Sequence, residues 1–250
     1  MGPLLVVALV GIVFALVRHS RTDLILLSFV TLGMLILTGL DSRAANITST
    51  IALFPGQVTT GYAGRRLASG AGRLSFQTLF LLSLAGGIFG ALLLLATPPI
   101  VFAGMVPWLV LFATAVFVWG AFVRPPSDGV PIVGARAAGV AQFVIAIYGG
   151  YFGGGIGFLM LAVLITAGQT VRSAAATKNV LAATMNASAV VVFLFSRDVH
   201  WLHAAVLGLG GIVGGLLGAG LVSRVNEKWL RLGVVAIGIA LTIALFLRGR

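Results

Sequence analysis

Apolar positions dominate this chain in long runs separated by short polar punctuation. The runs cover approximately 2–17, 24–40, 44–63, 75–97 and 99–123, and a second set covers 134–148, 151–168, 171–196, 200–222 and 229–248. Charge, proline or glycine clusters bound each of them. A helix needs about 20 largely apolar residues to cross the roughly 30 Å hydrocarbon core of a bilayer, so the pattern has room for about eight to ten spans. Backbone amides in lipid have no water to bind, which leaves helices or a closed barrel, and the alternating short segments of a barrel are absent. The pattern predicts an all-α fold, a polytopic transmembrane helical bundle.

The stretch Arg124 to Gly134, RPPSDGVPIVG, interrupts the apolar pattern with three prolines and two glycines at the middle of the chain. It divides the sequence into an N-terminal membrane repeat at 1–123, a linker at 124–134 and a C-terminal membrane repeat at 135–250. The halves carry matching features in the same order. Arg43, Thr48 and Gln57 correspond to Arg172, Thr177 and Asn186; AGGIFGALL at Ala85–Leu93 corresponds to LGGIVGGLL at Leu209–Leu217; and Trp108–Leu109 corresponds to Trp229–Leu230. An odd number of segments per half inserts the second copy upside down, so the expectation is two inverted structural repeats with broken or re-entrant helices. Whether 134–168 crosses twice or dips in and returns is left open by the sequence.

Alternating the connections between the two faces sorts the basic residues. One face collects Arg18, Arg21, Arg65, Arg66, Arg73, Arg124, Arg136, Arg172, Arg224, Lys228 and Arg231, and the other only Arg43, Arg197, Arg248 and Arg250. The richer face is expected on the cytoplasmic side, with both termini extracytoplasmic.

Composition sharpens this picture. Hydrophobic residues make up 60% of the 250 positions and charged ones 8%, against about 25% charged in a soluble domain. A water-soluble reading is excluded. The formal net charge of +11 does not indicate nucleic-acid binding, because the basic residues are scattered through short connections rather than clustered with aromatic partners. No cysteine is present, which removes thiolate metal sites, thiol redox chemistry and disulfides together. The run from Pro3 to Val17 has no preceding basic residue and no small-x-small cleavage pattern, so it is read as the first membrane segment rather than a signal peptide.

Candidate chemistry concentrates in the second half. The run Gly149–Gly157, GGYFGGGIG, holds six glycines in nine residues. Glycines let membrane helices pack closely, which suits the Gly210, Gly211, Gly214, Gly215 and Gly218 series. A dense GGG also breaks a helix and offers its amides and a positive helix end to an anion, so Gly153, Gly154 and Gly155 are candidate substrate-binding residues.

The segment that follows carries Lys178 well inside an apolar span, where insertion scales assign a cost of about 2.5–3.5 kcal/mol. Asn179 and Asn186 are seven apart and share a helix face, and Thr177 and Thr184 repeat that spacing. One reading is a polar stripe facing a central site. The other has Lys178 snorkelling to the interface within two turns of the helix start, with the amides joining helices. In the first half the matching stripe includes Thr50 and Gln57, with Pro55 and Gly56 expected to kink or unwind the helix between them.

Other polar residues carry less. His200 and His203 flank Trp201 beside Arg197 and Asp198, the pattern of an interfacial anchor, and His19 lies in a charged loop. None of Asp23, Asp41, Asp128, Asp198 and Glu227 lies deep in a span. A buried carboxylate relay, a metal site and an acid–base pair therefore lack their residues, and neither a metal nor a cofactor is expected.

The segment GYFGGGIGFLMLAVLITAG at Gly150–Gly168, followed by Arg172 and TKNVLAATMNASAVVVF at Thr177–Phe193, resembles the second-half signature of the TauE/SafE family of sulfite exporters. RAANITSTIALFPGQVTTGYAGR at Arg43–Arg65 resembles that family's first-half helix. The family usually has a glycine-rich motif in both halves. Here Thr22, Asp23, Leu24, Ile25 and Leu26 stand where the second half has Tyr151 to Gly155, so the site is expected to be asymmetric.

The resemblance implies a non-enzymatic transporter in a bacterial inner membrane that moves a small sulfur-containing anion, sulfite or an organosulfonate. Alternatives left open are a permease for another small anion and a non-transporting membrane assembly partner. The expected partners are the anion and the lipid bilayer; a homodimer also stays open.

Overall fold

A computed structural model of the protein describes residues 31–122, 131–218 and 227–248, without the side chains of 121–122, 211–218, 227–231 and 248. The expected first segment at 2–17, the Thr22–Leu26 stretch, positions 124–130 of the linker and both chain ends lie outside the described residues.

Residues 31–37 are helical. Eight helices then follow among the described residues: α1 (Ser42–Gly64), α2 (Phe76–Ala96), α3 (Pro99–Phe122), α4 (Ala135–Tyr151), α5 (Ile156–Thr166), α6 (Val171–Phe193), α7 (Trp201–Gly218) and α8 (Glu227–Arg248). The described residues contain no strand, only one isolated bridge between Ala71 and Leu74. The fold is all-α, as the hydrophobic pattern predicts.

Helix starts follow local side-chain chemistry. The Asp41 carboxylate accepts from the amides of Arg43 and Ala44, both at 3.0 Å. Ser75 Oγ accepts from the Thr78 amide at 3.1 Å, and Thr170 Oγ1 accepts from Ser173 at 3.3 Å. Each is a short polar side chain satisfying an amide that the first helical turn leaves orphaned. Of the kink or unwinding expected at Pro55 and Gly56, unwinding does not occur: α1 is helical from Ser42 to Gly64 with Pro55 inside it. The missing amide costs one hydrogen bond, but the helix continues on both sides.

The chain packs as two compact units, each drawn from both halves of the sequence. The first comprises Met1–Leu53, Thr97–Phe117 and Arg197–Arg250, and the second Phe54–Ala96 and Val118–Ser196. The division falls within α1, immediately before the Phe54–Pro55 pair.

Within the first unit, the Arg43 guanidinium pairs with Asp198 at 2.8 Å and donates to the Thr97 carbonyl at 2.9 Å. The His200 amide donates to Thr48 Oγ1 at 3.2 Å, so the start of α7 is fastened to α1. His200 and His203 meet edge to face at 5.7 Å. Trp108 of α3 meets Phe246 of α8 edge to face at 5.1 Å.

The second unit is held by small residues. On α2 the buried positions Ser83, Gly86, Gly87, Gly90, Ala91 and Leu94 recur at helical spacing and form one face. A Cβ on Gly86 would lie 3.0 Å from the Phe143 carbonyl of α4, and one on Gly87 would lie 2.5 Å from the Met185 carbonyl of α6. Backbones approach this closely only where side chains are missing. Gly61 and Gly64 do the same for the second part of α1: Gly64 abuts Ala176, and Gly61 abuts Asn179, Val180 and Ala183. Because the α6 number rises as the α1 number falls, the two helices run antiparallel.

Many large apolar side chains are exposed. Ile100 is 81% exposed and Trp108 62%, and α2 and α3 turn many more outward. Helices Phe76–Ala96 and Pro99–Gly120 are long and apolar enough to cross a membrane. An outer surface of this kind calls for lipid rather than water around it.

Candidate functional site

The glycine-rich run divides into two structural roles. Gly149 and Gly150 still belong to α4, and both are packing positions: a Cβ on Gly149 would strike the Met185 thioether, and one on Gly150 would strike the backbone of Gly87. The helix then ends. Phe152 and Gly153 both send their amides back to the Tyr148 carbonyl, at 2.9 and 3.3 Å. Gly153 has φ +85° and Gly155 φ +78°, left-handed conformations that a Cβ opposes. Gly155 is the N-cap of α5. The break expected from GGG is therefore present at 152–155, with the close-packing glycines just before it.

The two limbs return to the same end. The amides of Ile132 and Val133, just before α4, both donate to the Thr166 carbonyl at the end of α5, at 2.7 and 3.0 Å. At about 1.5 Å rise per residue, α4 is about 25 Å long and α5 about 16 Å. The return limb is too short to cross a roughly 30 Å core. Residues 135–166 therefore form a helical hairpin with a long first limb, a short return limb and the glycine break at its tip.

Lys178 faces this tip. A Cβ on Gly157, in the first turn of α5, would lie 3.6 Å from the Lys178 Nζ and 3.7 Å from its Cδ. Lys178 starts about 10 Å inside α6, counted from Val171 at about 1.5 Å per residue, and Gly157 lies about 14 Å along α5 from its outer end at Thr166. A snorkelling lysine would send its ammonium back towards the helix start. The Lys178 ammonium lies beside the first turn, the positive end, of α5. The half-buried cation, the left-handed glycines and the N-terminal amides of α5 converge on one place, where positive potential is concentrated.

The remaining predicted residues are distributed as follows. Asn179 is half-buried, and its carbonyl lies against Gly61. Thr184 and Asn186 are buried on α6, and both donate within their own helix: Thr184 Oγ1 to Val180 at 2.9 Å and Asn186 Nδ2 to Ala182 at 2.9 Å. Gln57 is on the same face of α1 as Gly61 and Gly64, and the antiparallel register brings it level with Asn186. Its buried Oε1 has no hydrogen-bond partner among the described residues. Thr50 belongs to the first unit and donates to the Asn46 carbonyl at 2.9 Å.

Thr177, a neighbour in the proposed stripe, has a structural task instead. Its hydroxyl accepts from the Ser69 amide at 3.0 Å. Gln169 Nε2 donates to the carbonyls of Ser69 and Gly70 at 2.7 and 2.9 Å, and Ser69 Oγ meets Ser173 Oγ at 2.7 Å. This knot ties the α1–α2 loop to the start of α6.

Two features are absent from the expected site. Gly157 is the seat of the lysine, and its only signal in the sequence is its place at the end of the glycine run. Gln142, fully buried on α4, donates to Ser83 Oγ on α2 at 2.9 Å, which anchors the long limb of the hairpin. A lone amide inside the apolar run ARAAGVAQFVIAIYGGY is the signal that announces such a partner.

A family model described as sulfite exporter TauE/SafE matches residues 4–245. The chain is also 33% identical over 200 residues to a Sinorhizobium sp protein described as "Probable membrane transporter protein ORF9", with 76% of this chain and 72% of that protein covered.

Proposed function

The chain belongs to the sulfite exporter TauE/SafE family and is a membrane transport protein, and on that premise we propose that it carries a small sulfur oxyanion, sulfite or an organosulfonate, across a bacterial inner membrane as a multi-pass protein. The observation that carries this reading is the Lys178 ammonium lying beside Gly157 at the glycine break. An anion leaving water loses strong hydration, and a cation within an apolar span is itself costly. Bringing the two together in a site already supplied with amide donors offsets both costs.

In this reading Lys178 supplies charge, and the glycine tip supplies directed donors from the backbone amides of Gly154 and Gly155, the Gly153 amide being held by the Tyr148 carbonyl. Asn179, Asn186, Thr184 and Gln57, all of the same unit, complete the polar path. Alternating access arises from two inverted repeats moving about the hairpin tip. Duplication is supported by α1 and α6, which are both 23 residues long and are capped at corresponding positions by Asp41 and Thr170. The arginines at the outer end of the hairpin lie towards the cytoplasm by the positive-inside bias, with both termini on the opposite side.

The test is uptake of radiolabelled sulfite by proteoliposomes, with Lys178→Met beside the parent protein. Flux in the parent and none above empty vesicles in the variant, with the variant still inserted and folded, is the expected result. Equal flux in the two would remove Lys178 from the site. Competition by sulfoacetate, thiosulfate, sulfate and acetate in the same assay ranks substrates: sulfite and sulfonate competing best supports a sulfur oxyanion, and acetate competing best points to a carboxylate permease.

A further inference from the structure

Five arginines gather at the end of the second unit where the hairpin opens. Arg65 and Arg66 follow α1, Arg73 precedes α2, Arg136 lies in the first turn of α4, and Arg172 in the first turn of α6. The structure brings these segments together. Ser69 meets Ser173, a Cβ on Gly72 would lie 2.8 Å from the Ala167 carbonyl, and Ile132 and Val133 bond to Thr166.

All five arginines are exposed, and none forms an ion pair with a described residue. Arg65 instead lies over the Tyr62 ring, 3.3 Å from its centroid. The described residues of this unit include no aspartate or glutamate. A single-sign cluster of this size repels itself unless counter-charges accompany it.

Beside it runs an apolar surface. An open groove of about 410 Å³ on the first two turns of α2 is lined by Phe76, Gln77, Phe80 and Leu81. It begins three residues after Arg73 and runs away from the arginine end along the helix. Charge at one end and apolar aromatic lining below match the two parts of a phospholipid.

We propose that this end of the protein binds an anionic phospholipid, with the headgroup phosphate among Arg73, Arg136 and Arg172 and an acyl chain in the α2 groove. The site is separate from the hairpin tip and does not depend on the identity of the transported ion. Its role is to hold the α1–α2 loop and the two ends of the hairpin against the membrane surface.

The test is native mass spectrometry of the full chain after delipidation, titrated with dioleoyl phosphatidylglycerol, dioleoyl phosphatidylcholine or glycerol phosphate. The parent should prefer phosphatidylglycerol over phosphatidylcholine. Arg73→Gln should reduce that preference about fivefold, and the triple variant with Arg136→Gln and Arg172→Gln on the order of a hundredfold. Arg197→Gln, which removes an exposed charge from the other unit, should leave it unchanged.

Phe80→Ala should weaken phosphatidylglycerol without altering glycerol phosphate binding. Melting curves check that each variant is folded, and if the triple variant is not, the single Arg73→Gln decides. An unchanged preference in Arg73→Gln, an equal loss in Arg197→Gln, or glycerol phosphate binding as tightly as the whole lipid would each overturn the proposal.

Discussion

The ammonium of Lys178 and the bare α-carbon of Gly157 are neighbours: a Cβ on the glycine would lie 3.6 Å from Nζ. That distance is ordinary van der Waals contact, so Gly157→Ala should keep the lysine in place and leave transport close to that of the parent. Gly157→Leu puts a branched chain where the ammonium lies. Losing one charge-assisted interaction weakens anion affinity by about tenfold to a hundredfold. Anion-binding titrations on the two variants check the contrast, and equal affinities would show that the seat does not matter.

Gly153 and Gly155 hold left-handed backbone, so each should resist alanine. Forcing an L-residue there costs about 1–2 kcal/mol. Gly153→Ala and Gly155→Ala should each be less stable than the parent by that amount in detergent, read as a lower melting temperature, and lose substrate affinity, because the amides at the tip turn away. Unchanged stability in both would mean that the tip tolerates a different backbone.

Gly87 and Gly104 should give opposite signs. A Cβ on Gly87 would lie 2.5 Å from the Met185 carbonyl, whereas nothing lies within 4 Å of one on Gly104. Gly87→Ala must push α2 from α6 and should cost about 1–3 kcal/mol as overpacking does. Gly104→Ala adds helix propensity in open space and should stabilise by up to about 1 kcal/mol. Thermal unfolding of the two proteins in one detergent measures both.

Gln142 and Ser83 form an unequal pair. Ser83 also donates to its own helix, to the Leu79 carbonyl at 2.8 Å, while the buried Gln142 Oε1 has no partner among the described residues. Ser83→Ala strands the Gln142 amide as a buried donor and should destabilise by about 1–3 kcal/mol. Gln142→Leu removes the unsatisfied oxygen together with the donor and should be nearly neutral. A large loss in Gln142→Leu, beside little in Ser83→Ala, would reverse this ranking.

Much of the architecture is local and was legible in the residues. Helices are obligatory in an apolar chain because no water is available to its amides, so the runs from 44–63 onward correspond to helices with ends a few residues away. At Asp41, Ser75 and Thr170 the structure shows a side-chain oxygen satisfying amides that the first turn leaves open. The break in GGYFGGGIG was equally legible, because three adjacent glycines remove what holds a helix together.

Tertiary contacts decided the rest. Gly149 and Gly150 pack while Gly153 and Gly155 bend, and the difference depends on what stands opposite each: Met185 and Gly87 for the first pair, open backbone geometry for the second. Pro55 and Gly56 carry the same local warning as the glycine run, yet α1 remains helical through both. Thr177 looked like part of a binding stripe by spacing alone. Its hydroxyl instead ties down Ser69, a partner more than a hundred positions away in the sequence.

Spacing places a residue on a helix face but does not say what that face meets. The sequence by itself determined that Lys178 enters an apolar span beside a broken helix. Only the fold decided that the hairpin doubles back far enough to bring Gly157 under its ammonium.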